Sequence, residues 1–463
     1  MLAKLSLRTV ALGLLASSAL VPTAAAAQEL SVEQRLDRIE GMMAQLLGRL
    51  DAQDAMNEEQ QAEIAATAEM VMAEATAMRN EQAELSAQVG TVVEAQEADG
   101  FTIGNTRFTI GGYVKLDALT MRTSGGQYAD GDITRDFLLP GTIPVGGQAS
   151  GWDTDFSARQ TRVILQTASD VGTGTPVNTL VEVDFMVTAG GDERVSNSYT
   201  PRIRQAYISY GDWLFGQTWS TFQNVGALPE SMDFIGTTPG TVFDRQPMIR
   251  YSSGGFQIAA EQPETTVTTR TGGRALPGDD TIPDLVARYN FGGDWGSVSA
   301  AGIFRSLNIA DDDFGTGADS AIGYGLSLAG RLNIGERDDL RFMATAGDGI
   351  GRYIGVNIVN DAALDLGGEL DPIFTYSGFA AFRHFWTPQI RSTVAASYFR
   401  ADNPVLLTGN QTTDESWNAL ANIVWSPFNR FDVGLEYMYA ERALEDGRSG
   451  NLQKVQVSTR FSF

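Results

Sequence analysis

Val455-Gln-Val457-Ser-Thr459-Arg-Phe461-Ser-Phe463 carries apolar, aromatic or β-branched residues at odd positions and polar ones at even positions. Alternation with period two belongs to a strand with one dry face and one wet face. A soluble sheet can show the same alternation, so this segment alone leaves two readings open. After residue 100 the pattern returns about sixteen times, as a transmembrane β-barrel requires.

Strands are expected at 106–120, 156–168, 177–188, 201–211, 212–219, 247–253, 255–262, 283–291, 295–305, 319–333, 338–347, 372–386, 388–400, 414–426, 429–442 and 450–463. The links between them alternate in length. About 35 residues precede Phe156, whereas Gly211-Asp212, Ser253-Gly254, Gly292-Gly293-Asp294, Gly335-Glu336-Arg337, Thr387-Pro388 and Ser426-Pro427 make short turns. Outer-membrane barrels have this asymmetry, with turns on the periplasmic rim and loops outside. An even strand number puts both barrel ends on the periplasmic side.

Parity within strands separates lipid-compatible residues from charges. Ile322, Tyr324, Leu326, Leu328 and Leu332 alternate with Gly323, Ser327, Arg331 and Asn333; Phe431, Val433, Leu435, Tyr437 and Tyr439 oppose Asp432, Glu436 and Met438. A soluble sandwich has no use for charges on the inner parity of nearly every strand. The expected fold is therefore an all-β transmembrane barrel of about sixteen antiparallel strands, preceded by an N-terminal α-helical coiled coil.

The segment before the barrel divides in two. Residues 1–27 read as a signal peptide, with Lys4 and Arg8, an apolar run from Val10 to Val21 and Ala25-Ala26-Ala27 as the cleavage site. Residues 28–99 read as a periplasmic coiled-coil stalk. Leu36, Met43, Leu50, Asn57, Ile64, Val71, Met78, Leu85 and Val92 hold one heptad position; Val32, Ile39 and Leu46 begin the other, which then decays to Gln53, Gln60, Thr67, Glu74, Glu81 and Gln88. Fully helical, the stalk would be on the order of 100 Å long. A single acidic helix lying on another surface is the competing reading. Residues 100–463 then form the barrel domain.

The formal charge of −24 divides as +2 for residues 1–27, −12 for 28–99 and −14 for the remainder. Nucleic acid is a poor partner for such a chain. Of 33 basic residues only Lys4, Lys115 and Lys454 are lysine. A GC-rich genome would produce that bias; so would selection for the planar donor fork that grips carboxylates and phosphates. With no cysteine and one histidine, His384, neither a thiolate metal site nor a Ser-His-Asp triad can be assembled. Asp130-Gly131-Asp132 and Asp311-Asp312-Asp313 lack a full calcium-loop spacing and read as solvated loops. No cofactor, no metal and no catalysis are expected.

By parity the lumen receives Lys115, Arg162, Arg250, Arg288, Arg305, Arg331, Arg341, Arg383, Arg391, Lys454 and Arg460, with Asp117, Glu182, Asp184, Glu261, Asp432 and Glu436 on the same face. Sixteen strands leave a water-filled channel, and rings of arginine favour small anions. For any one residue, cross-strand pairing that merely stiffens the wall is an equal reading. The link between Trp219 and Pro247 carries Phe222, Leu228, Glu230, Met232, Asp233, Phe234, Phe243, Asp244 and Arg245. Its apolar residues suit a loop folded into the lumen, with Glu230, Asp233, Asp244 and Arg245 at the constriction.

Short motifs add to this. Arg204-Gln-Ala-Tyr207, Gly216-Gln-Thr-Trp-Ser-Thr-Phe222, Leu228-Pro-Glu-Ser-Met-Asp233, Arg245-Gln246 and Ile249-Arg250-Tyr251, with Ala158-Arg-Gln-Thr-Arg162 before them, resemble the DcaP-like trimeric porins of Gram-negative outer membranes. The resemblance implies a homotrimer in outer-membrane lipid that admits small anions, dicarboxylates among them. It points to Arg159, Arg162, Arg204 and Arg250 near the channel and to Glu230, Asp233 and Arg245 on the inward loop. Arg159 sits on the outward parity of its strand, which calls for a bulge or a subunit contact. The expected function is passive diffusion of small hydrophilic solutes, with anions preferred. Two alternatives are a phosphate-selective porin, disfavoured by the scarcity of lysines, and an envelope tether whose stalk meets periplasmic or cell-wall partners. Deleting 28–99 separates them, because a porin still conducts without its stalk.

Overall fold

The computed structural model describes residues 100–463 apart from 130, 188–195, 270–271, 279, 311–316 and 366, together with Gly41 and Ala44. The signal peptide, nearly all of the stalk, Asp130 and Asp311-Asp312-Asp313 lie outside the described residues; Asp132 is described, and its carboxylate accepts from Thr134 N at 2.9 Å.

Sixteen antiparallel strands form the barrel: β1 (Thr106–Thr123), β2 (Asp153–Ser157 continued by Arg162–Ser169), β3 (Val177–Asp184), β4 (Arg202–Tyr210), β5 (Trp213–Trp219), β6 (Arg245–Ser253), β7 (Phe256–Glu261), β8 (Asp284–Gly293), β9 (Gly296–Ile309), β10 (Asp319–Ile334), β11 (Asp338–Asp348), β12 (Phe374–Phe385), β13 (Ile390–Asp402), β14 (Thr413–Phe428), β15 (Phe431–Leu444) and β16 (Ser449–Ser462). Each pairs with its neighbours in sequence. The cylinder closes where β1 meets β16, from Tyr113↔Ser462 to Thr123↔Leu452. Closure removes the free sheet edges that an open sheet would expose to lipid.

Each expected strand is present, and the parity holds. On β10, Leu326 is 71% exposed, while its neighbour Ser327 is 5% exposed and turns inward. One expected turn is displaced. β14 continues through Ser426-Pro427 to Phe428, and the reversal falls at Asn429-Arg430 instead. Pro427 has no N–H to give a ladder, and it sits where the β14–β15 register slips between Trp425 and Phe428.

The lumen is partly filled by the connections between strands. Residues 220–244 run inward, as the sequence implies, but two further long links, 124–152 and 349–373, pack against them. Val242 bridges Ile354, and Phe243 N donates to Tyr353 O at 2.9 Å. Phe222, Val242, Ile350, Tyr353, Ile354, Ile358 and Val359 share one buried apolar cluster; Phe137, Met186 and Ile235 form another, against which Phe234 and Phe243 pack. Burial on this scale stabilises by about 25 cal/mol per Å², so these loops are built as a core and not as free arms.

Candidate functional site

The inward loop leaves β5 at Trp219, crosses to the opposite wall and returns to β6. Along the way the wall supplies a hydrogen-bonding partner at nearly every step. Arg341 donates to Leu228 O; Asn422 Nδ2 donates to Glu230 O at 2.9 Å; Arg391 grips the Glu230 carboxylate through Nε (2.7 Å) and Nη2 (2.6 Å). Glu436 accepts from Ser231 Oγ (2.8 Å), Met232 N (2.9 Å) and Asp233 N (3.2 Å). The carbonyl of Met232 accepts from Lys115 Nζ on β1 (2.7 Å) and from Gln456 Nε2 on β16 (2.6 Å). Lys454 pairs with Asp233, and Asn418 Nδ2 reaches Gly236 O at 2.9 Å. Two glycines let the backbones approach: a Cβ on Gly240 would collide with Gly378 O, and one on Gly434 with the Met232 sulfur.

Cations on this docking wall are matched by carboxylates. Asp339 meets Arg331 at 3.9 Å, Arg341 at 2.7 Å and also Arg383; Asp432 meets Arg391 at 3.1 Å and also Arg460; Asp117 meets Lys115 at 3.1 Å. Lys115 is 7% exposed and lies beneath the loop, so its ammonium anchors Met232. Asp233, 4% exposed, is likewise an anchor, since it also accepts from Leu138 N at 3.1 Å.

The facing wall, β2 to β8, carries Arg162, Arg202, Arg204, Arg245, Arg250 and Arg288. Arg162 lies 3.1 Å from Glu182; Arg202 and Arg204 each lie 2.7 Å from Asp184, and Arg204 also holds Glu182. Arg204 sits at the β3–β4 register shift and is buried. Arg245 stacks 4.5 Å over Trp219 and 5.5 Å from Phe243, the geometry of a cation–π contact. Arg250 Nη1 donates to Trp219 O at 3.4 Å, and Arg288 Nη1 to Gln223 O at 2.6 Å. Asp244, at the loop's return, is held by Arg352 at 3.0 Å.

Arg159 resolves its parity conflict through a bulge. Residues 158–161 interrupt β2 opposite Lys115, and Arg159, 6% exposed, donates to Asp136 at 2.7 Å and to Phe185 O at 3.3 Å. Arg202, Arg352, Gln223 and Tyr353 were not singled out by parity or motif. Tyr353 had a usable signal: Tyr353-Ile-Gly-Val-Asn-Ile-Val359 is an apolar run in a long link, like the one that marks 220–244. Among the described residues no group of histidines and carboxylates could hold a metal ion. The arrangement offers a face on which, among the described residues, Arg245, Arg250 and Arg288 have no carboxylate within 4.0 Å, opposed by a shelf fixed to a wall whose cations are engaged by carboxylates.

The family model of the DcaP outer membrane protein matches residues 125–463. No curated protein sequence matches the chain. Among solved structures, the outer membrane channel DcaP of Acinetobacter baumannii is 22% identical with a TM-score of 0.63, over 79% of this chain and 99% of that one. The anion-selective porin from Comamonas acidovorans is 13% identical with a TM-score of 0.49, over 77% and 100%. OmpT of Vibrio cholerae is 10% identical with a TM-score of 0.47, over 79% and 100%.

Proposed function

Since the chain belongs to the DcaP outer membrane protein family, and is thereby an outer-membrane β-barrel of the porin class, we propose that it is a passive channel preferring small anions, dicarboxylates included. The observation that carries the preference is a set of arginines along β2 to β8 that no carboxylate pairs. Arg162, Arg202 and Arg204 meet Glu182 and Asp184, but Asp153 and Asp155 go to Arg135, Asp284 to Arg305, and Glu261 to Thr221 N and Gln246. Among the described residues Arg245, Arg250 and Arg288 therefore have no carboxylate within 4.0 Å, whereas the docking wall spends its cations on carboxylates of its own and of the loop. A positive field on one side of a narrow water path lowers the entry cost of anions and raises that of cations. Diffusion down a gradient needs no other machinery.

In this reading the protein works as a homotrimer, and residues 28–99 supply a periplasmic oligomerisation element through their heptads. The test is the zero-current potential of single channels in planar bilayers under a potassium chloride gradient. The expected sign is that of chloride preference. A potential of potassium sign refutes the arginine argument.

A further inference from the structure

Arg250 and Arg288 differ from the paired cations around them. Arg162, Arg204, Arg341, Arg383, Arg391 and Arg460 each have a carboxylate within 4.0 Å; among the described residues, Arg250 and Arg288 have none. In the ladder Arg250 faces Ala259 and Arg288 faces Gln257, so they flank β7 on the lumen side, two residues out of step. Strand spacing and rise put their Cα atoms on the order of 12 Å apart. Two long side chains starting from that separation can converge on one small ligand.

Both guanidinium groups lean on the same turn at the start of the inward loop, through Trp219 O and Gln223 O, and Gln223 N closes that turn on Ser220 O at 3.0 Å. Gln223 is 1% exposed. Its Oε1 accepts from Asp244 N at 3.1 Å, which leaves Nε2 buried without a partner, as is Nε of Arg288. Glu261, the carboxylate nearest in the ladder, is committed to Thr221 N and Gln246 Nε2, both at 2.7 Å. Buried donors without acceptors are uncommon in folded proteins. Two forks with no carboxylate within 4.0 Å, both resting on the turn that carries a spare amide donor, are an arrangement that an oxyanion completes, because each fork can give two parallel hydrogen bonds.

We propose that Arg250, Arg288 and Gln223 form a discrete oxyanion station, binding a carboxylate or phosphate group on its way through the pore. The station rests on the anion-channel reading and adds that passage saturates. A field alone would only raise the local anion concentration.

The test uses the full-length protein in planar bilayers, with acetate or inorganic phosphate added to a potassium chloride background. The station predicts that at least one of the two lowers the chloride current along a saturating curve; acetate alone assigns it to carboxylates, phosphate alone to phosphates. R250K/R288K keeps both charges but loses the forks, and Q223L loses the amide. The double variant is expected to shift half-saturation upward at least tenfold, Q223L several-fold, each checked for an intact barrel by heat-modifiable mobility on gels. Currents linear in both anions, or a double variant that saturates like the wild type, overturn the station. If the wild-type potential in potassium chloride still has chloride sign, the channel reading survives that result; if it has potassium sign, the reading beneath fails instead.

Discussion

Replacing Arg391 by methionine removes the bidentate clamp on Glu230 while leaving every barrel ladder in place. The two side chains are 11% and 17% exposed, and Arg391 also reaches Asp432 at 3.1 Å and Ser426 Oγ at 2.6 Å. Breaking a fully buried pair costs about 3–5 kcal/mol, because one charge stays behind without its partner. Here partial exposure and Arg383, 3.8 Å from Glu230, reduce that to about 2–3 kcal/mol. At 1.4 kcal/mol per decade, the undocked loop becomes roughly 30- to 140-fold more populated. Hydrogen exchange reads this directly, since the amides of Met232 and Asp233 are donated to Glu436 and are released on undocking. Their exchange should accelerate by that factor while amides of the β13–β14 ladder keep theirs. The double variant R391M/E230Q removes both charges and should return most of the protection, because neither partner is stranded. Equal exchange in wild type and R391M, or equal acceleration in the ladder, refutes the view of the loop as a separately docked unit. So does a double variant no better protected than the single one.

Gly240→Val sets a side chain against Gly378 O and should lift the loop tip from β12, raising single-channel conductance while the protein still runs as a heat-modifiable barrel. Tyr353→Phe removes a hydroxyl that donates to Asp284 at 2.7 Å and accepts from Gln246 at 2.8 Å; a loss of about 1–3 kcal/mol in the loop core should appear as earlier proteolysis within 349–373. Acid acts through Glu230, in the inward loop. Burial pushes its pKa up, but the hydrogen bonds and then the charge of Arg391 outweigh this and hold it below the ordinary 4.5. A depressed carboxylate keeps its contribution above the unfolded value and loses it as pH falls through the folded one. The part of the conductance that depends on this clamp, read as the difference between wild type and R391M, should therefore be level between about pH 5 and 8 and change only below about 4.5.

The barrel was legible because its signal is local: one residue predicts the facing of the next, and sixteen repetitions average out single exceptions. The loops were legible only in part. Phe222 and Phe234 betray 220–244 as too apolar for an exposed link, but the same argument applied to Ile354 and Ile358 would have found 349–373. What parity cannot supply is pairing. Arg250 and Arg383 both point inward, yet Asp339 waits beside Arg383 while, among the described residues, no carboxylate lies within 4.0 Å of Arg250. Glu230 and Arg391 are 161 residues apart in the chain, so no window of sequence contains their contact. Arg159 shows a third limit, since a bulge reverses parity without leaving a pattern of its own.

The clasp on Met232 has a bearing on assembly order. Its carbonyl is held jointly by a lysine from the first strand and a glutamine from the last, the pair whose meeting turns a curved ribbon into a tube. Until that meeting takes place, half of the grip is missing. Seating of the inner arm therefore finishes late, after insertion has brought head and tail together, and once seated it rivets the joint where an immature wall would most readily spring open.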